Sequence, residues 1–171
     1  MNTQIVLSTW DHLRAVHGIV LRAIETIPAS SFDRPVLQNV RSPKESVTHM
    51  YTLLRELANG LERGEITEMN ALRNAPEVRT PQDLLTFVRS QWEQADKAIQ
   101  RLAPGAFAAT LRNPWTSPMR GEEAVSFVYD EFLHTRGLLY AQLRQLGVQP
   151  PSTWDFANNE PSLRPRTMQR A

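Results

Sequence analysis

Proline placement constrains this chain more than any other feature. All 12 prolines fall outside four long stretches: 1–27, 44–75, 82–103 and 119–149. Proline lacks the amide hydrogen, and its ring collides with the preceding turn. Each proline-free stretch is therefore open to a helix, and each boundary stops one. The apolar spacing agrees. Val6, Trp10, Leu13, His17, Val20, Ile24 and Ile27 recur in steps of four and three, as do Val47, Met50, Leu54, Leu57 and Leu61. Leu85, Val88, Trp92, Ala95, Ile99 and Leu102 form a third stripe, and Val125, Val128, Phe132, Thr135, Leu139 and Leu146 a fourth. Each set draws one face down a helix, and no alternating strand pattern competes over such lengths.

The boundaries carry their own signals. Ser42-Pro43-Lys44-Glu45 supplies a capping hydroxyl, a proline at the first helical position and a reciprocal acid; Thr80-Pro81-Gln82-Asp83 repeats it with Asp. Gly147 ends the last helix and Pro150-Pro151 prevents its return. Two long connections remain, 64–79, with room for one short helical turn, and 104–118. The reading is an all-α four-helix bundle over residues 1–150, with 151–171 an extended or disordered C-terminal arm. Trp154-Asp155-Phe156 is the segment placed to tack that arm onto the bundle.

Composition narrows the function. At 171 residues the chain can bury one real core. A net charge of +1 gives no field favouring nucleic acid or membrane, and the basic end, Arg164 to Ala171, reads as a solvated tail before a nucleic-acid arm. Without cysteine there is no disulfide, thiolate nucleophile or thiolate metal site. No signal peptide or membrane span is expected, which points to the cytoplasm.

The stretch Arg136-Gly137-Leu138-Leu139, continuing to Leu143-Arg144-Gln145-Leu146-Gly147, resembles the last helix of the DinB/YfiT-like family. Leu138 stands where that family has Gln, and Gln142 where it has Tyr. Ser42 to Tyr51, with His49, resembles its second helix. The resemblance covers roughly residues 1–151. It implies an antiparallel four-helix bundle, usually a homodimer, with a divalent metal (Zn, Ni, Mn or Fe) held by three histidines, one from helix two and two from helix four. It also implies kinship with thiol-dependent transferases and isomerases.

At the deciding positions this chain departs from the pattern. Anchored on Arg136-Gly137, the two helix-four ligand positions fall on Glu131 and Thr135, and His134 falls between them. On a helical wheel Glu131 and Thr135 turn toward the interior and His134 toward the back. The competing pair, Asp130 with His134, lies on the outer face and reads first as a surface hydrogen-bonded pair. His49 and Glu131 supply two metal donors, and His17, inside helix one's stripe, is the candidate third. The alternative has His17 as a core histidine bonded to Glu131 or to backbone. Thr135 and Arg136 are the pocket residues, Arg136 placed to steer an anionic substrate. His12 reads as surface, and Gly137 as permitting close helix approach. Phe127, Leu138 and Ala141 on the outer face of helix four suit a subunit contact. Two functions stay open: a metal-dependent transferase or hydrolase, and a bundle that has lost its metal and binds a small molecule or a protein.

Overall fold

The structure, a computed structural model, describes residues 3–66, 77–114 and 117–169. The fold is all-α. Its long helices are α1 (Thr3–Glu25), α2 (Pro43–Arg63), α3 (Pro81–Arg101) and α5 (Gly121–Gln145). Between α3 and α5 lie the short α4 (Pro104–Ala108) and a hairpin of β1 (Thr110–Leu111) with β2 (Met119–Arg120). Two-residue strands cannot write an alternating pattern, so the hairpin has no signature in the sequence. The helical turn expected within 64–79 falls largely outside the described residues.

Both capping boxes form. The Ser42 hydroxyl accepts from the Glu45 amide at 3.2 Å, and the Glu45 carboxylate accepts from the Ser42 amide at 2.9 Å. Thr80 and Asp83 repeat this at 3.1 and 2.9 Å. Gly64 and Gly147 adopt φ of 79° and 74°, left-handed backbone that turns the chain out of α2 and α5.

Contacts between helices give their order and direction. Around the bundle they run α1, α3, α2, α5. Trp10 bonds Asp96 while His17 stacks on Trp92, so α1 and α3 are antiparallel. Leu61 lies at Gly121, Tyr51 at Phe132, and Gln142 reaches the Arg41 carbonyl, so α2 and α5 are antiparallel too. His12 sits by Tyr129, and Arg22 near Tyr140, so the neighbours α1 and α5 run the same way. By the same logic α2 parallels α3. The end of α2 and the start of α3 therefore lie at opposite ends of the bundle.

Rings fill the centre. His17 lies flat on Trp92, with ring centroids 4.5 Å apart, and Trp92 stacks on Trp10 at 5.4 Å. Tyr51 meets His17 edge-on at 5.4 Å and Phe132 at 5.3 Å. Every long helix therefore contributes at least one ring to a single cluster. At its rim Asp96 accepts from the Trp10 indole at 2.8 Å and from Arg14 at 2.7 Å.

The arm is fastened along α1 through residue 166. Asp155 pairs with Arg22 at 2.7 Å, Glu160 with Arg89 of α3 at 2.8 Å, and Asp11 with Arg166 at 3.0 Å. Asn159 is buried and donates to the Ala15 carbonyl at 2.8 Å. It can do so because Gly18 has no side chain: a Cβ there would come within 2.5 Å of the Asn159 amide group. A glycine inside α1 thus trades helix propensity for the arm's seat. Gly137 has a different setting. It is exposed, with nothing among the described residues within 4 Å of where its Cβ would be, so it mediates no close approach between the described helices.

Candidate functional site

Residues 39–42 enter α2 across the face of α5, and an open pocket of about 460 Å³ lies between them. Asn39, Arg41, Ser46, Glu131, His134 and Thr135 line it. Asn39 turns the loop with a left-handed φ of 58°. Gln142, one of the most buried side chains, fixes the loop by donating to the Arg41 carbonyl at 2.7 Å. Its own Oε1 has no hydrogen-bond partner among the described residues. A buried amide oxygen left unsatisfied costs about 1–3 kcal/mol, so it marks a place where a donor from outside would be welcome.

Glu131 and Thr135 share the pocket. The Thr135 hydroxyl donates to Glu131 Oε1 at 3.4 Å, a long and weak bond. His134 is exposed at the rim. Asp130 lines a different groove, toward α1, and no bond joins it to His134 among the described residues. His49 is half-buried on α2. Burial, then Arg41, hold its imidazole below the ordinary value, while Glu131 pulls the other way. His49 and Glu131 thus feel each other's charge without forming an ion pair among the described residues.

His17 is not part of this pocket. Its Nδ1 lies 2.6 Å from the Tyr51 hydroxyl, and its face is covered by Trp92. Burial, with a smaller push from Arg89, lowers its pKa to about 3, so the ring is neutral. Tyr51 is the partner, where the sequence suggested Glu131 or backbone. Among the described residues no three His, Asp or Glu side chains converge closely enough to hold one metal ion. A tetrahedral or octahedral site needs about three such donors. His49 and Glu131 supply two and Thr135 only a neutral hydroxyl, so the donor set does not fit a resident divalent metal.

Arg136 also lies away from the Glu131 pocket, one residue round the helix from Thr135. Its charge is felt at His12 of α1 and at Tyr140. His12, expected at the surface, is half-buried among Tyr129, Phe156 and Trp154, with ring centroids 6.0, 5.7 and 6.5 Å away. Two of these rings come from Trp154-Asp155-Phe156, the segment that the sequence marks as tacking the arm to the bundle, but nothing local marks His12 as the place they meet.

An all-α bundle of this order, with a pocket between its second and last long helices, defines a class that the comparisons narrow. The DinB family matches residues 1–167, and the chain belongs to the DinB family. A solved structure of a DinB-like protein of Bacillus subtilis, YjoA, shares the fold with a TM-score of 0.66. It is 20% identical over 88% of this chain and 97% of its own. No functionally curated protein matches the sequence. No helix among the described residues is long and apolar enough to cross a membrane.

Proposed function

We propose that this chain is a DinB-family bundle whose ancestral three-histidine metal site has become a metal-free pocket for a small polar molecule. The observation that carries the reading is the fate of His17, the third ligand that the sequence suggests beside His49 and Glu131. It is spent on Tyr51 and Trp92 at the centre of the bundle. What remains in the pocket suits hydrogen bonding. Glu131 accepts, and Thr135, Ser46 and Arg41 can donate. A molecule with adjacent donor and acceptor groups matches that set.

Elemental analysis of purified, untagged protein tests this. The expected result is less than about a tenth of a metal per chain and no thermal shift with added Zn, Ni, Mn or Fe, since a ligand that binds only the folded state must raise its stability. Stoichiometric metal that disappears in His49→Ala would establish the alternative, a metal-dependent transferase or hydrolase. In that case His49 and Glu131 would hold the ion and an outside donor would complete it.

The family resemblance supports a homodimer in the cytoplasm. Phe127 on the outer face of α5 is 43% exposed, and Leu138 is partly so. Light scattering at micromolar concentration should give twice the chain mass. A monomer there would remove the dimer from this reading.

A further inference from the structure

The α1 flank of α5 carries a second constellation, independent of the Glu131 pocket. Tyr129, Leu133, Arg136 and Tyr140 recur at steps of four, three and four, so they share one stripe. His12 stands against Tyr129 at the start of that stripe, and Phe156 and Trp154 surround His12. Below His12 and Tyr129 an open groove of about 660 Å³ runs between α1 and α5, past Ile5, Ser8 and Asp130.

Two features of this stripe lack a partner. Arg136 is half-buried, yet it makes no ion pair or hydrogen bond among the described residues. Tyr140 is 3% exposed, and its hydroxyl has no hydrogen-bond partner among the described residues. A guanidinium sheltered from water without an anion is unfavourable, and so is a buried orphan hydroxyl. The nearby acids cannot serve. Asp155 is taken by Arg22 at 2.7 Å, and Asp11 by Arg14 and Arg166 at 2.7 and 3.0 Å. Arg144 adds a further positive charge, its guanidinium 5.7 Å from the Tyr140 ring centre. Asp130, in the groove, is the one acid facing this neighbourhood without a basic partner among the described residues.

We propose that Arg136, Tyr140 and His12 form a binding site for a small aromatic oxyanion, a carboxylate or a phosphate monoester, on the α1 side of α5. The oxyanion lies at the guanidinium of Arg136, where it accepts from the Tyr140 hydroxyl. The flat body lies toward Tyr129 and His12, beside which stand the rings of Phe156 and the 71%-exposed Trp154. Asp130 at the far end of the groove disfavours a second negative charge on the ligand. The depressed pKa of His12, set by burial first and then by Arg136, is consistent with a neutral imidazole able to accept or donate at the rim.

Calorimetric titration of the full chain tests the site, with benzoate and phenyl phosphate as probes and benzylamine as the cationic control. Saturable binding of at least one anion is expected, and the stronger of the two identifies the oxyanion. Arg136→Gln and Tyr140→Phe should each weaken it by about tenfold or more, and Glu131→Gln should leave it unchanged. Tyr140→Phe removes an oxygen with no partner among the described residues, so its melting temperature should equal or exceed that of the parent. Any of four results would overturn the proposal: no saturation by either anion at about 10 mM, equal binding of benzylamine, undiminished binding in Arg136→Gln, or a lower melting temperature for Tyr140→Phe. Equal loss in Glu131→Gln would place the anion in the other pocket and also overturn it.

Discussion

Acidification from about pH 7 to about pH 4.5 should cost this protein about 2–3 kcal/mol of stability through His17 alone. Its pKa is lowered to about 3 from an ordinary 6.5, because burial excludes the charged ring and Arg89 opposes it further. The folded state therefore holds His17 neutral. Its stabilising contribution is complete above the unfolded value of 6.5 and declines as pH falls toward 3, where both states are protonated. Protonation would place a cation between Trp92 and Tyr51 and leave Nδ1 able only to donate, so Tyr51 could no longer donate to it. Tyr51 does not relieve this by ionising, since burial raises its own pKa well above 10. Surface carboxylates such as Asp83 and Asp155, whose pKa values are lowered by hydrogen bonds, add to acid sensitivity over a lower range. The double variant His17→Phe, Tyr51→Phe separates the two. It removes both polar partners together and so leaves no orphan. Urea midpoints measured from about pH 7 to pH 4.5 should fall markedly less in the double variant than in the parent. Parallel curves would show that His17 does not titrate in the core.

The helices were legible because their signals are local. Prolines, two capping boxes and four apolar stripes each lie within a short window, and α1, α2, α3 and α5 follow them. The order of the helices around the bundle was not, since it depends on pairings such as Trp10 with Asp96 and Gln142 with Arg41, far apart in the chain. The site was half legible. The wheel placed Glu131 and Thr135 on one side of α5, and both line the pocket there. It placed His17 inward, and His17 is inside, but a wheel gives direction without depth or partner. Nothing local says that Tyr51 reaches His17 across the diagonal of the bundle, or that Trp92 covers its face. Arg136 shows the same limit from the other side. It adjoins Thr135 in sequence, yet one residue is about 100° of rotation, enough to send its charge toward a different helix. The arm was legible in part: Trp154-Asp155-Phe156 marks where it meets the bundle, whereas the seat of Asn159 depends on a glycine in α1 and has no local signal.

Gly121→Ala should destabilise the protein by about 3 kcal/mol. Gly121 opens α5, directly after β2, and a Cβ there would lie 2.5 Å from the Ala106 carbonyl oxygen and 3.0 Å from the Phe107 Cα. The Leu61 side chain, at 2.9 Å, can turn aside; the other two atoms are backbone and cannot. The Gly121 amide also donates to the Ala109 carbonyl at 3.0 Å, which ties the start of α5 to the end of α4. Relief of the clash would stretch that bond or lift α4, and with it the buried ring of Phe107, off the bundle. Glycine at this position is therefore required for close packing, since its φ is not in the left-handed region. Gly105→Ala, in the same neighbourhood but with nothing among the described residues within 4 Å of its Cβ, is the matched control and should change stability by less than about 0.5 kcal/mol. Urea unfolding of both variants decides the matter, with the slope checked against the parent to confirm a two-state transition. If Gly121→Ala unfolds together with Gly105→Ala, α4 yields freely and is not fixed by this contact. If it unfolds early, the contact sets where α5 begins, and so sets the level at which Glu131 and Thr135 meet the loop of Arg41.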